Sequence, residues 1–151
     1  MPVWALGGRI YRNEALRIHS FEVPREWAAV PQVSYPGVLL LAKNAQGARL
    51  LLAQQWVVPG TTALTLAAAA RTLLLQQGFA DPKILPESEE RVRVEAARPG
   101  GKLLQSYIVD GDAAFVMTLF TSVDHQTSAL KAFDEAVRSL KIGLTTGKQE
   151  N

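Results

Sequence analysis

The sequence predicts an α+β domain, an antiparallel β-sheet packed by two main helices. Residues 91–121 alternate apolar and polar side chains through three runs with tight turns, two segments show helical spacing, and the strands come in hairpins. A parallel doubly wound sheet would need a helix between consecutive strands, and these turns leave no room for one.

Within 91–97, Val92, Val94 and Ala96 share one side and Arg91, Arg93 and Glu95 the other, the pattern of a half-buried strand. Arg98-Pro99-Gly100-Gly101 turns the chain into 102–109, and Asp110-Gly111-Asp112 turns it into 113–121. The last run sets Phe115, Met117 and Leu119 opposite Val116 and Phe120, so it is expected at the centre of the sheet with helices covering one side. Upstream, 37–42 and 49–58 flank Asn44-Ala45-Gln46-Gly47, whose Asn and Gly accept positive φ, and form a second hairpin. Fainter strand signals fall at 17–22 and 8–11. Pro24, Pro31 and Pro36 make the stretch before the hairpin extended and turn-rich.

Thr61 or Thr62 caps a helix over 63–77 in which Leu66, Ala70, Leu73 and Gln77 share a face, and Gly78 stands at its left-handed end. The alanines at 67–70 suit close packing of that helix on a sheet. A second helix over 127–142 turns Leu130, Phe133, Val137 and Leu140 inward and pairs Asp134 with Arg138 outside. We divide the chain into a lead-in, 1–10, the domain, 11–142, and a polar tail, 143–151, expected to be flexible.

At 151 residues and 48% hydrophobic, the chain can bury one core without cross-links. It has no cysteine, which excludes disulfides, thiolate metal sites, iron–sulfur clusters and a thiol nucleophile. The formal net charge is only +2, and the seven basic side chains among the first 75 residues are scattered rather than run together, so no nucleic-acid partner is expected. No apolar run is long enough to span a membrane, and the opening residues lack the basic start and apolar core of a leader. As given, the chain reads as cytoplasmic, or as periplasmic or lipid-anchored where a leader has been removed.

His19 and His125 are the sole imidazole bases, and neither stands in a G-x-S-x-G or H-E-x-x-H setting. Asp124, His125, Gln126 and Thr127 read as the start of a helix. The Glu87-Ser88-Glu89-Glu90 run reads as a charged connection, and Asp110-Gly111-Asp112 lacks the further ligands of a calcium loop. No metal site, cofactor or catalytic residue is assigned.

The run Phe21-Glu22-Val23-Pro24-Arg25-Glu26-Trp27 resembles the F-x-x-P-x-x-W signature near the start of PsbP-like domains. That group includes the photosystem PsbP subunit, the Ran-binding Mog protein and bacterial DcrB-type proteins. The hairpin, the helix ending at Gln77-Gly78-Phe79, the Arg- and Val-rich strand, the turn at Asp110-Gly111-Asp112 and a closing helix ending Leu140-Lys141-Ile142 follow the order of that family from about Tyr11 to Ile142. The resemblance implies a central antiparallel sheet sandwiched by helices and a role in binding rather than chemistry. It also extends to the Eag chaperones of type VI secretion, which hold apolar effector segments.

These observations favour a non-enzymatic binding module or adaptor whose partner is another protein, with a homodimer as a further association to consider. An Eag-like chaperone for an apolar effector helix is one alternative, and a small hydrolase or ligand-modifying enzyme is another. For the partner surface, the first hairpin offers Leu50, Leu52, Trp56 and Val58 on one side of their strand. The competing expectation is that these four are core.

Overall fold

A computed structural model describes residues 4–31 and 37–143. In chain order these residues form β1 (Trp4–Gly7), β2 (Ile10–Asn13), β3 (Ile18–Glu22), β4 (Ala28–Pro31), β5 (Val38–Lys43), β6 (Arg49–Trp56), α1 (Ala63–Gln76), β7 (Ala80–Pro86), β8 (Arg91–Arg98), β9 (Gly101–Asp110), β10 (Ala113–Ser122), α2 (Gln126–Ser139) and β11 (Lys141–Ile142). Single 3₁₀ turns, Glu14–Leu16 and Val123–His125, precede β3 and α2. The architecture is α+β.

Two antiparallel sheets result, a large one ordered β4-β5-β6-β10-β9-β8-β7 and a small one ordered β1-β2-β3-β11. The meander expected over 91–121 is present as β8-β9-β10, with β10 central between β9 and β6. Asn44 closes the first hairpin by accepting from the Gln46 and Ala48 amides at 3.1 and 2.9 Å, and Gly47 takes φ 86. Gly111 turns β9 into β10 at φ 64.

The two helices lie on opposite faces of the large sheet, which corrects the expectation that helices cover one side. One face packs against α2 and the small sheet, joining Phe21, Leu50, Leu52, Phe115, Met117 and Phe133 in one core. The other packs against α1 through Ala63, Ala67, Leu74, Val92, Val94 and Ala114. Because β10 serves both cores, it is apolar on both sides.

Several boundaries and faces differ from the sequence reading. Thr62 is the cap of α1, accepting from the Thr65 amide at 3.1 Å, but the buried stripe is Ala63, Ala67 and Leu74 rather than the leucine face expected. Leu73 is 53% exposed. Small residues let the helix axis approach the sheet, and that close approach rotates the larger leucines outward. The second helix stops at Ser139, and Lys141 pairs with Ser20 and Ile142 with Ile18 as β11. The Ser139 hydroxyl accepts from the Glu22 amide at 3.0 Å and donates to the Ala136 carbonyl at 2.7 Å, so the helix end is tied to β3.

Asp134 pairs with Arg93 of β8 at 2.8 Å rather than with Arg138. A bond between elements wins because the Arg93 guanidinium also lies 5.2 Å from the Phe133 ring centroid. The segment set apart as a lead-in supplies β1 and the start of β2, whose Leu6 and Gly7 pair with Tyr11 and Ile10. The sequence reading also lacks β4 and β7. Both are edge strands, where proline is tolerated because one rank of amides needs no sheet partner; Pro82 and Pro86 lie in β7. Pro36 and the tail beyond Gly143 lie outside the described residues. Among the described residues no helix is long and apolar enough to cross a membrane.

Candidate protein-binding face

Helix α1 leaves β6 through a short connection, held where the Val57 amide donates to the Asp112 carbonyl at 2.8 Å. It ends at Gly78, φ 92, and feeds β7 at the far edge of the sheet. A helix that must deliver the chain to that edge packs over β7, β8 and β9. Among the described residues no helix covers the same face of β6, β5 and β4, and β10 lies at the border, with Ala114 buried in the α1 core and Val116 and Phe120 packed against it.

The register defines what this open face presents. Val116, Ala53 and Val38 form one row across β10, β6 and β5. Thr118, Leu51, Leu41 and Val30 form the next, and Phe120, Arg49, Lys43 and Ala28 the third. Val38, Leu41, Leu51, Ala53, Val116 and Phe120 are each half-buried, and Val30 is 57% exposed. Contiguous half-covered aliphatic surface of this kind marks an interaction site more often than single exposed apolar residues do.

At the end of the sheet a groove of about 570 Å³ joins Val38, Ala53 and Val116 of the open face to Leu16, Leu39 and Trp56, which belong to the side that faces α2 and the small sheet. The groove forms because β6 runs on past the beginning of β5, where the Gln54 amide donates to the Gly37 carbonyl at 2.8 Å. Trp56 at its rim is held by Arg17, whose guanidinium lies 5.2 Å from the indole centroid and bonds Asp112 at 2.7 Å. Arg17 itself takes φ 66 after the 3₁₀ turn, which aims its side chain back over the end of β6.

Of the four residues proposed from sequence, Trp56 and Val58 are 53% and 75% exposed, whereas Leu50 and Leu52 are 2% and 1% exposed. The last two are a correction: they face α2 and belong to the core with Phe115. Even-numbered positions of β6 point to α2 and odd-numbered ones to the open face, so the accessible residues are Leu51 and Ala53. Sequence reasoning missed them because Leu50, Leu51 and Leu52 are identical side chains and nothing local tells the two sides apart.

Along the boundary between α1 and the open face runs a polar relay. The Tyr107 hydroxyl donates to Gln105 Oε1 at 2.8 Å, and Gln105 Nε2 donates to Thr118 Oγ1 at 3.3 Å. Burial pushes the Tyr107 phenol up to about 12, opposed by its bond to Gln105. Between pH 10 and 12 the unfolded chain releases a proton that the folded chain keeps, so stability falls as pH rises through that window. Tyr107→Phe is expected to make that alkaline loss shallower in urea melts. It should not abolish the loss, because burial also raises Tyr11. An unchanged slope in the variant would contradict this assignment.

His19 lies half-buried in β3, and His125 is exposed at the end of the 3₁₀ turn before α2, where no side chain caps the helix. Among the described residues no three His, Asp or Glu side chains gather as a metal site would require. The spacing Ser128-Ala129-Leu130-Lys131 repeats a Ser-x-x-Lys pattern that sequence reading passed over. Ser128 and Lys131 are exposed on α2, and the Ser128 hydroxyl donates to the His125 carbonyl at 3.4 Å.

The two-sheet sandwich with one helix on each side of the large sheet defines the PsbP-like fold. A solution structure of cyanobacterial PsbP from Synechocystis sp. PCC 6803 is similar with a TM-score of 0.63, covering 92% of this chain and 98% of that one at 16% identity. No protein-family model and no curated protein matches the chain.

Proposed function

We propose that this protein is a non-enzymatic binding module or adaptor of PsbP-like fold, and that the open face of β10, β6, β5 and β4 receives a protein partner. One observation carries the reading: a connected set of aliphatic side chains, Val38, Leu41, Leu51, Ala53 and Val116, is half-covered by its own chain on a rigid central sheet. Such surface gains from being removed from water at roughly 25 cal/mol per Å², and a sheet presents it without first having to be ordered.

The dimensions favour a helical occupant, the second reading, in which the protein is an Eag-like chaperone for an apolar segment. Four neighbouring strands at about 4.8 Å spacing give roughly 14 Å from β10 to β4, and a helix with its side chains is about 10–12 Å across. One helix therefore fits beside α1.

A photo-crosslinking amino acid at position 53 tests the docking surface. Irradiated in cells, it is expected to give a discrete adduct with another protein, whereas the same group at exposed Lys131 on α2 gives none. Equal labelling from the two positions, or adducts from position 131 alone, would move the partner surface to the other side of the molecule. Sequencing the captured segment separates a helical apolar stretch from a folded partner surface.

A further inference from the structure

The open face is apolar along most of its length and basic at one end. Arg49 and Lys43 stand directly opposite each other across β6 and β5 on that face. Like charges in such a cross-strand pair oppose sheet formation. Arg98 stands at the same end, and it and Arg49 line a pocket of about 280 Å³ with Phe79, Phe120 and Ser122. Each arginine is held by an aromatic ring, Arg49 5.4 Å from the Phe120 centroid and Arg98 4.9 Å from that of Phe79. Elsewhere Arg9, Arg17 and Arg93 face carboxylates at 2.8, 2.7 and 2.8 Å, and Lys102, which also lines that pocket, faces Glu95 at 3.8 Å. Among the described residues no carboxylate lies within ion-pair distance of Lys43, Arg49 or Arg98.

From this we infer that the partner is an apolar segment carrying acidic residues on one flank, seated so that this flank meets Lys43, Arg49 and Arg98. The inference rests on the binding reading above and adds the charge and register of the occupant. Stacked guanidiniums are already oriented, so a carboxylate gains paired hydrogen bonds at small cost in side-chain freedom. The span is suitable. Strand β6 is eight residues long, roughly 24 Å, which matches about 16 residues of helix. An apolar stretch of that length would lie between the Gln55 end of β6 and the arginines at the other.

Two fluorescein-labelled Ala/Leu-rich helical peptides of about four turns test this. One carries two glutamates at a single end and the other two lysines at the same positions. By fluorescence anisotropy at low salt the acidic peptide is expected to bind about tenfold more tightly, a gap that narrows as salt screens the pair. Arg49→Glu with Arg98→Glu is expected to reverse the preference. Both arginines are exposed, and a thermal melt confirms that the variant folds. Equal binding of the two peptides, each weakened by Ala53→Glu, would leave the apolar face as a binding site and overturn the acidic flank. A preference for the acidic peptide that survives the double reversal would also overturn it. If neither peptide binds, both this inference and the reading beneath it are overturned.

Discussion

Phe133→Ala is expected to lower the free energy of unfolding by about 3–5 kcal/mol. The ring is fully buried on the inner face of α2, in the core that α2 shares with the large and small sheets. Removing it leaves a cavity between rigid elements, and the cost grows with whatever volume the neighbours fail to fill. The change also withdraws the surface under the Arg93 guanidinium, 5.2 Å from the ring centroid, whose bond to Asp134 links β8 to α2. Phe133→Leu, which keeps most of the volume, is expected to cost far less than the alanine. Urea denaturation of the two variants measures both. A loss below about 1 kcal/mol for Phe133→Ala would mean that α2 does not dock on the sheet through this residue.

Leu52→Ala and its neighbour Leu51→Ala should differ sharply. Leu52 is 1% exposed and packs toward α2, so its truncation is expected to cost about 2–5 kcal/mol. Leu51 is half-buried on the open face, and its truncation is expected to cost no more than about 1–1.5 kcal/mol because less area leaves contact and water fills the space. Partner capture should respond in the opposite order, with Leu51→Ala weakening it and Leu52→Ala acting through stability alone. Similar stability losses at the two positions would mean that both faces of β6 are equally covered, and the open face would not exist.

The β8-β9-β10 meander is legible in the sequence because Arg91, Arg93 and Glu95 alternate with Val92, Val94 and Ala96 and fix which residues share a face. The turn at Asp110-Gly111-Asp112 is legible for a similarly local reason, since only particular backbone conformations close a short hairpin. Thr62 and Gly78 mark the ends of α1 through their own hydrogen bonding and φ. Edge strands are harder to see: the prolines in β7 argue against a strand until it is known that one side of it needs no partner. Lys141 and Ile142 follow α2 with no helix breaker before Gly143, yet pairing with β3 takes them into a sheet.

By itself, the sequence determined the α+β class, the hairpins, the caps and the absence of thiol chemistry, all of which depend on residue type and near-neighbour spacing. Only the tertiary structure decided which side of Leu50-Leu51-Leu52 is accessible. That choice depends on α1, which a distant requirement places over β7, β8 and β9, since it must return the chain to the edge of the sheet. Likewise Leu73 is a better apolar residue than Ala67, but Ala67 is the one buried, because the spacing between helix and sheet selects for size as well as hydrophobicity. The meeting of Lys43, Arg49 and Arg98 has the same origin. Arg98 is far in the chain from the hairpin that carries Lys43 and Arg49, and the return of β8 brings its charge to their end of the sheet.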